Sequence, residues 1–113
     1  MRPEKGAGDV AIQTEEDQGT WTVRVSGEVD LYSSPEMRKA VVEEVPASAD
    51  VLAVDLEQVA YMDSSGVATL VEGLRESSSQ NRRFVLLRPS PPVRKVLELS
   101  RLDMVFDIEE GDE

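Results

Sequence analysis

The residue types best suited to chemistry stand together in Tyr61-Met-Asp-Ser-Ser-Gly66. The segment follows an apolar run with the pattern of a buried strand and precedes the spacing of an amphipathic helix, so its two hydroxyls fall at a helix entrance. The first backbone N–H groups of a helix have no partner within it, and its dipole favours negative charge there. A phosphoryl group on Ser64 or Ser65 would add about −1.5 to −2 charges, and the entrance would tolerate that charge without melting. A protein docked on the same loop would lose its contacts. Gly66, lacking a side chain, would let such a partner approach closely. Asp-Ser-Ser-Gly is equally a good helix cap and turn, and helices need such caps whatever their function. These considerations do not choose between Ser64 and Ser65.

Other chemistries find little support. The segment lacks the G-x-x-x-x-G-K-[ST] pattern of a phosphate-cradling loop and the G-x-S-x-G pattern of a hydrolase elbow. The 113 residues include no cysteine and no histidine. Disulfides, thiolate zinc sites and serine or cysteine nucleophiles paired with histidine are thereby excluded. The Asp, Asn and Glu residues do not have calcium-loop spacing. No catalytic residue, metal or cofactor is expected, and an enzyme is not the reading preferred. The formal net charge of −11 opposes nucleic-acid binding and attachment to anionic membranes. It serves solubility, or complements a basic partner protein; composition alone does not separate the two. No apolar run approaches the about 18 residues of a membrane span, so no direct membrane insertion is expected. Met1–Asp9 has no signal-peptide pattern, and a cytoplasmic location is expected.

Patterning supplies the elements that would position the loop. Residues 1–9, with Pro3, Gly6 and Gly8, are expected to be disordered, residues 10–108 to form one domain, and residues 109–113 an acidic tail that frays. Val10 and Ile12 alternate with polar neighbours, and Trp21, Val23 and Val25 do so beyond a turn at Gln18-Gly19, which predicts an antiparallel hairpin. Gly27-Glu-Val-Asp30 breaks the alternation. Ser33-Ser-Pro-Glu36 reads as a helix start, with Met37, Ala40, Val41 and Val45 inward and a stop at Pro46. Val51–Leu56 reads as a strand covered on both faces. A second helix is predicted over about Ser65–Ser77, a polar loop through Asn81, and a strand at Phe84–Leu87. Ser90 is a candidate cap for a third helix with Val93, Val96, Leu97 and Leu102 inward, and Met104–Ile108 is the last predicted strand. The order β-β-α-β-α-β-α-β predicts an α/β domain with a mixed, mostly parallel sheet of about five strands and three helices.

Three stretches resemble one family. Gly27-Glu-Val-Asp30 looks like the "GELD" turn of STAS domains, named for sulfate transporters and anti-sigma-factor antagonists. Val54-Asp-Leu-Glu-Gln-Val-Ala-Tyr-Met-Asp-Ser-Ser-Gly66 looks like their strand, loop and phosphorylation segment, and Pro91–Leu102 like their third helix. The resemblance implies a single STAS domain of the anti-sigma factor antagonist type. In bacterial members of that type, the unmodified domain binds an anti-sigma factor that is also a serine kinase. The kinase phosphorylates the first serine, here Ser64, and the complex dissociates. A metal-dependent, PP2C-type phosphatase resets the switch. Asp63 and Ser65 would flank the acceptor, Asp30 would lie beside it at the neighbouring strand end, and Met62 and Gly66 would complete the partner-binding set. Another role within the fold is that of a constitutive accessory subunit of a membrane transporter, including lipid-transporting ATP-binding cassettes. Two departures stand out: Val67-Ala68 replaces the commoner Leu-Gly, and the further helix many members carry after the last strand is expected to be absent or reduced to a tail.

Some residues have two readings. Trp21 is a half-buried strand aromatic or an exposed binding anchor. Met37 and Met62 suit core or rim packing, and Met62 also suits an adaptable contact beside Ser64. Arg82, Arg83, Arg88, Arg94, Lys95 and Arg101 are expected to solvate loop and helix faces.

Overall fold

A computed structural model of the chain describes residues 9–111; of the segments expected to be unstructured, residues 1–8 and 112–113 lie outside it. The strands are β1 (Val10–Asp17), β2 (Thr20–Val29), β3 (Val51–Met62), β4 (Arg83–Leu87) and β5 (Asp107–Glu109). The helices are α1 (Ser34–Arg38), continued by a π-helical turn at Lys39–Glu43, α2 (Ser64–Ser79) and α3 (Pro91–Leu99). The predicted order of elements is the observed one. The five strands lie side by side in chain order, with β1 antiparallel to β2 and the other neighbours parallel.

The hairpin joining β1 to β2 turns through Gln18 and Gly19 at φ 51° and 86°. Positive φ at both positions is the two-residue turn that matches strand twist. Beyond it, Trp21, Val23 and Val25 alternate toward one face, where they meet Leu52 and Val54 of β3 and Phe84 and Leu86 of β4. Met37, Ala40 and Val41, Val67 and Leu70, and Val93 and Leu97 come down onto the same cluster from the three helices. The helices therefore form one layer on one side of the sheet. Trp21 is half-buried and donates its indole N–H to the Ala40 carbonyl at 3.3 Å. That carbonyl is available because the π-helical turn sends the Glu44 N–H to Lys39 instead, at 2.9 Å.

The opposite face is covered differently. The central strand is covered on both sides, but the second cover is not a helix. Ala53 and Val85 are buried there outside the core cluster, roofed by long charged side chains. Asp55, 4% exposed, sits between Arg24 (3.6 Å) and Arg88. Arg83 spans Asp107 at 2.7 Å and Glu109 at 2.9 Å. The charge of Asp55 leads in holding the Arg88 guanidinium above its ordinary pKa. Arg82 is likewise buried and no solvated cation: it donates to the carbonyls of Ala49 at 3.1 Å and Pro46 at 3.2 Å.

Several boundaries differ from the sequence pattern. β2 does not stop at Gly27, and β3 runs on to Met62. Arg24–Val29 of β2 pairs with the longer stretch Asp55–Met62 of β3, so β3 carries two bulges. They turn Leu56, Val59 and Met62 inward at intervals of three. Ser90 does not use its hydroxyl to cap α3; it donates to the Val59 carbonyl at 2.6 Å and so pins the β4–α3 loop against the bulged strand. Met104 and Val105 are exposed and lie before β5, which begins only at Asp107. Phe106 turns in, with its ring 6.0 Å from that of Phe84, and Ile108 packs half-buried against the core. Asp9, placed outside the domain from sequence, accepts the Glu28 N–H at 3.0 Å. Glu109, expected to fray, lies in β5, and Glu110 pairs with Arg94.

Candidate functional site

β2 and β3 are parallel and end together, at Val29 and Met62. Their two following loops therefore lie side by side, joined by the Asp63 N–H donating to the Val29 carbonyl at 3.1 Å. The outer ends of parallel strands are where α/β folds place ligands and partners, because the chain leaves the sheet there as loops.

The β3–α2 loop is short. Asp63 has extended backbone and is the N-cap of α2; its carboxylate accepts the Ser65 N–H at 2.8 Å. Its carbonyl accepts from Gly66 at 3.0 Å and Val67 at 3.2 Å. Asp63 thus satisfies much of the helix entrance by itself. Ser64 is the first helical residue and is exposed, whereas Ser65 is half-buried.

The β2–α1 loop is tied down by Asp30 and Ser33, both buried. Asp30 Oδ1 accepts the N–H groups of Tyr32 at 2.9 Å and Ser33 at 3.1 Å. The Ser33 hydroxyl accepts the Asp30 N–H at 2.9 Å and donates to the Glu28 carbonyl at 2.7 Å. Ser33 therefore spends its hydroxyl on the loop and not on the N–H groups of α1. The latch leaves Leu31 and Tyr32 outside, 66% and 77% exposed, and across from them the second bulge of β3 turns out Tyr61. These three side chains rim a groove of about 460 Å³ that is also lined by Glu28, Asp30 and Asp63. Among the described residues, none of those three carboxylates forms a salt bridge.

The structure thus assembles the sequence-derived set but divides it. Asp30, Asp63, Ser64 and Ser65 lie on the two adjoining loops. Met62 and Gly66 lie beneath them and do not offer the partner contact or open approach expected. Met62 is 4% exposed and belongs to the core. A Cβ on Gly66 would fall 2.5 Å from Met62 Cγ and 2.8 Å from Val29 Cγ1. The glycine is needed for α2 to pack onto the strand ends. Sequence reasoning missed Leu31, Tyr32 and Tyr61. Two adjacent apolar residues directly after the turn at Asp30 were the available signal.

Comparison with known proteins places this arrangement. An anti-sigma-B factor antagonist of Staphylococcus aureus is 28% identical over 102 residues, covering 90% of this chain and 94% of that one. The anti-sigma factor antagonist SpoIIAA, solved in its unphosphorylated form, shares 25% identity with a TM-score of 0.67 and 90% of each chain covered. The Bacillus cell fate determinant SpoIIAA, solved in its phosphorylated form, shares 28% identity with a TM-score of 0.68, covering 91% of this chain and 93% of that one. A family model described as "Mlab, STAS domain" matches residues 12–108, and with that match over most of its length the chain belongs to the STAS domain family.

Proposed function

We propose that this protein is an anti-sigma factor antagonist working as a phosphoswitch. Unmodified, it holds an anti-sigma factor that is also a serine kinase; phosphorylation of Ser64 releases that partner, and a PP2C-type phosphatase restores the binding form. The protein acts by binding, in the cytoplasm, and performs no catalysis. The observation that carries this reading is the exposed hydroxyl of Ser64 at the first position of α2, beside a groove rimmed by Leu31, Tyr32 and Tyr61.

The geometry supports each half of the switch. For binding, the apolar rim provides contact area of the kind that carries interface energy. Asp30, Asp63, Ser64 and Ser65 provide polar contacts around it, and Met62 and Gly66 hold the floor. For release, a phosphate on Ser64 adds about −1.5 to −2 charges next to a groove lined by three carboxylates that form no salt bridge among the described residues. In a docked and partly dehydrated loop such a charge costs about 2–5 kcal/mol of affinity, and each 1.4 kcal/mol is about tenfold. The names of the Staphylococcus relative and of SpoIIAA, the latter solved with and without phosphate, lend the reading further support.

The test is affinity capture from lysate of the native organism, with Ser64→Ala and Ser64→Asp forms as bait. Recovery of an anti-sigma factor by the alanine form and its loss with the aspartate form is the predicted result. Equal recovery of a transporter ATPase by both would replace the switch with a constitutive transporter subunit.

A further inference from the structure

We propose that the free edge of β1 is a strand-addition site for an extended segment of another protein that carries lysine or arginine. It uses none of the residues of the Ser64 site and does not depend on the function proposed for them.

The register determines which backbone groups are on offer. Glu28 donates to the Asp9 carbonyl at 3.0 Å, and the antiparallel pairing continues from Val10↔Gly27 to Asp17↔Thr20. Odd-numbered residues of β1 therefore exchange hydrogen bonds with β2. The N–H and C=O groups of Val10, Ile12, Thr14 and Glu16 point the other way. β1 is the terminal strand of the sheet, and among the described residues none pairs with these groups.

Proteins ordinarily blunt such an edge with proline, charge, a bulge or brevity. Residues Val10 to Thr14 carry no proline and no charge, and their register is unbroken. Alongside them runs a cleft of about 510 Å³, lined by Val10, Ile12 and Thr14 on the strand, by Glu36 on α1, by Ala40 on the π-helical turn and by Glu44 just after it. The cleft continues outward from the core, because half-buried Val10 and Ile12 pack against the core cluster and Ala40 belongs to it.

The chemistry of the occupant follows from these walls. A row of unpaired N–H and C=O groups accepts an extended backbone. Val10 and Ile12 accept apolar side chains at alternate positions. Exposed Glu36 and Glu44, with Glu16 at the end of the row, attract cations; Lys39 is the one basic residue lining the cleft, and it already lies 4.0 Å from Glu44. A second copy of the chain is disfavoured, since it would bring a net charge of −11 against its like.

The probe is an acetylated, amidated octapeptide of alternating valine and lysine, N-methylated on every second amide so that it cannot pair with itself. The control has glutamate in place of lysine. Amide hydrogen exchange of the full chain is read by NMR. The lysine peptide should slow exchange at Val10, Ile12, Thr14 and Glu16 about tenfold when present at roughly ten times its dissociation constant. The glutamate peptide should leave these amides unchanged, and a Glu36→Lys, Glu44→Lys double variant should no longer respond to the lysine peptide. The proposal is overturned if the four amides are not slowed, if both peptides slow them equally, or if they are already slow in the free protein. Slowing that grows with protein concentration alone would assign the edge to a second copy and overturn it as well.

Discussion

The carboxylate of Asp63 accepts the N–H of Ser65 at 2.8 Å, and the hydroxyl of Ser64 between them is left in solvent. The cap and the candidate acceptor are therefore different residues. The helix entrance is closed by a carboxylate and not by a hydroxyl, and the candidate acceptor carries little structural load. Asp63→Ala should cost about 1 kcal/mol, the usual worth of an N-cap, whereas Ser64→Ala should stay within about 0.5 kcal/mol of the parent, as exposed substitutions do. Urea denaturation measures both. Equal losses would mean that Ser64 is part of the cap.

Gly66→Ala should destabilise the domain by about 1–3 kcal/mol, the usual range for overpacking, because the added methyl meets Met62 and Val29 at 2.5 and 2.8 Å. A melting temperature equal to that of the parent would show that α2 can shift freely over the strand ends, and the placement of Ser64 would lose its support.

Leu31→Ala and Tyr32→Ala should leave stability nearly unchanged, since both side chains are mostly in solvent. Partner affinity should fall by about 1–2 kcal/mol or more for each, as at interface anchors. Calorimetric titration against the captured partner, beside a melting curve, separates the two quantities. Full affinity in both variants would move the interface away from this groove.

Arg38 joins α1 to α2 by gripping Glu72 with two hydrogen bonds, at 2.8 and 2.6 Å. Hydrogen bonding to Arg38 lowers the Glu72 pKa below its ordinary value against the opposing effect of burial. The folded-state pKa being the lower one, the stabilisation is complete above the carboxylate's unfolded pKa and lost as pH falls through the folded one. Glu72→Gln should thus be less stable than the parent near neutrality, by a small amount because the pair is still partly open to solvent. The difference should shrink as the solution is acidified below the ordinary glutamate range. Denaturation midpoints across pH 3 to 7 (roughly the carboxylate titration window) test this; a difference independent of pH would show that the ion pair is not its source.

Much of the fold was legible because apolar periodicity survives any loop detail. Val23 and Val25, Leu52 and Val54, and Leu70 with Val67 announce their faces by spacing alone. Periodicity fails where backbone geometry changes without a change of composition. The two bulges of β3 are invisible in Glu57–Tyr61, yet they decide that Tyr61 emerges at the groove while Met62 is buried. Met104 and Val105 are apolar but lie in a turn, with the Val105 N–H donating to the Leu102 carbonyl at 3.0 Å, so their apolar character misled. Arg82 looked like a surface cation because burial of a guanidinium requires carbonyl acceptors, and those of Pro46 and Ala49 are distant in sequence. Ser64 stood out because a hydroxyl pair at a helix entrance is a local feature; the groove beside it was hidden because it needs two loops.

The most direct test of the switch is calorimetric titration of the captured anti-sigma factor with two preparations of the protein, one unmodified and one carrying phosphoserine at position 64 throughout. The unmodified chain should bind at least about 30-fold more tightly, corresponding to the about 2 kcal/mol lower bound for a charge disrupting a docked loop, and both should give the same melting behaviour in isolation. Equal affinities for the two preparations would contradict the account.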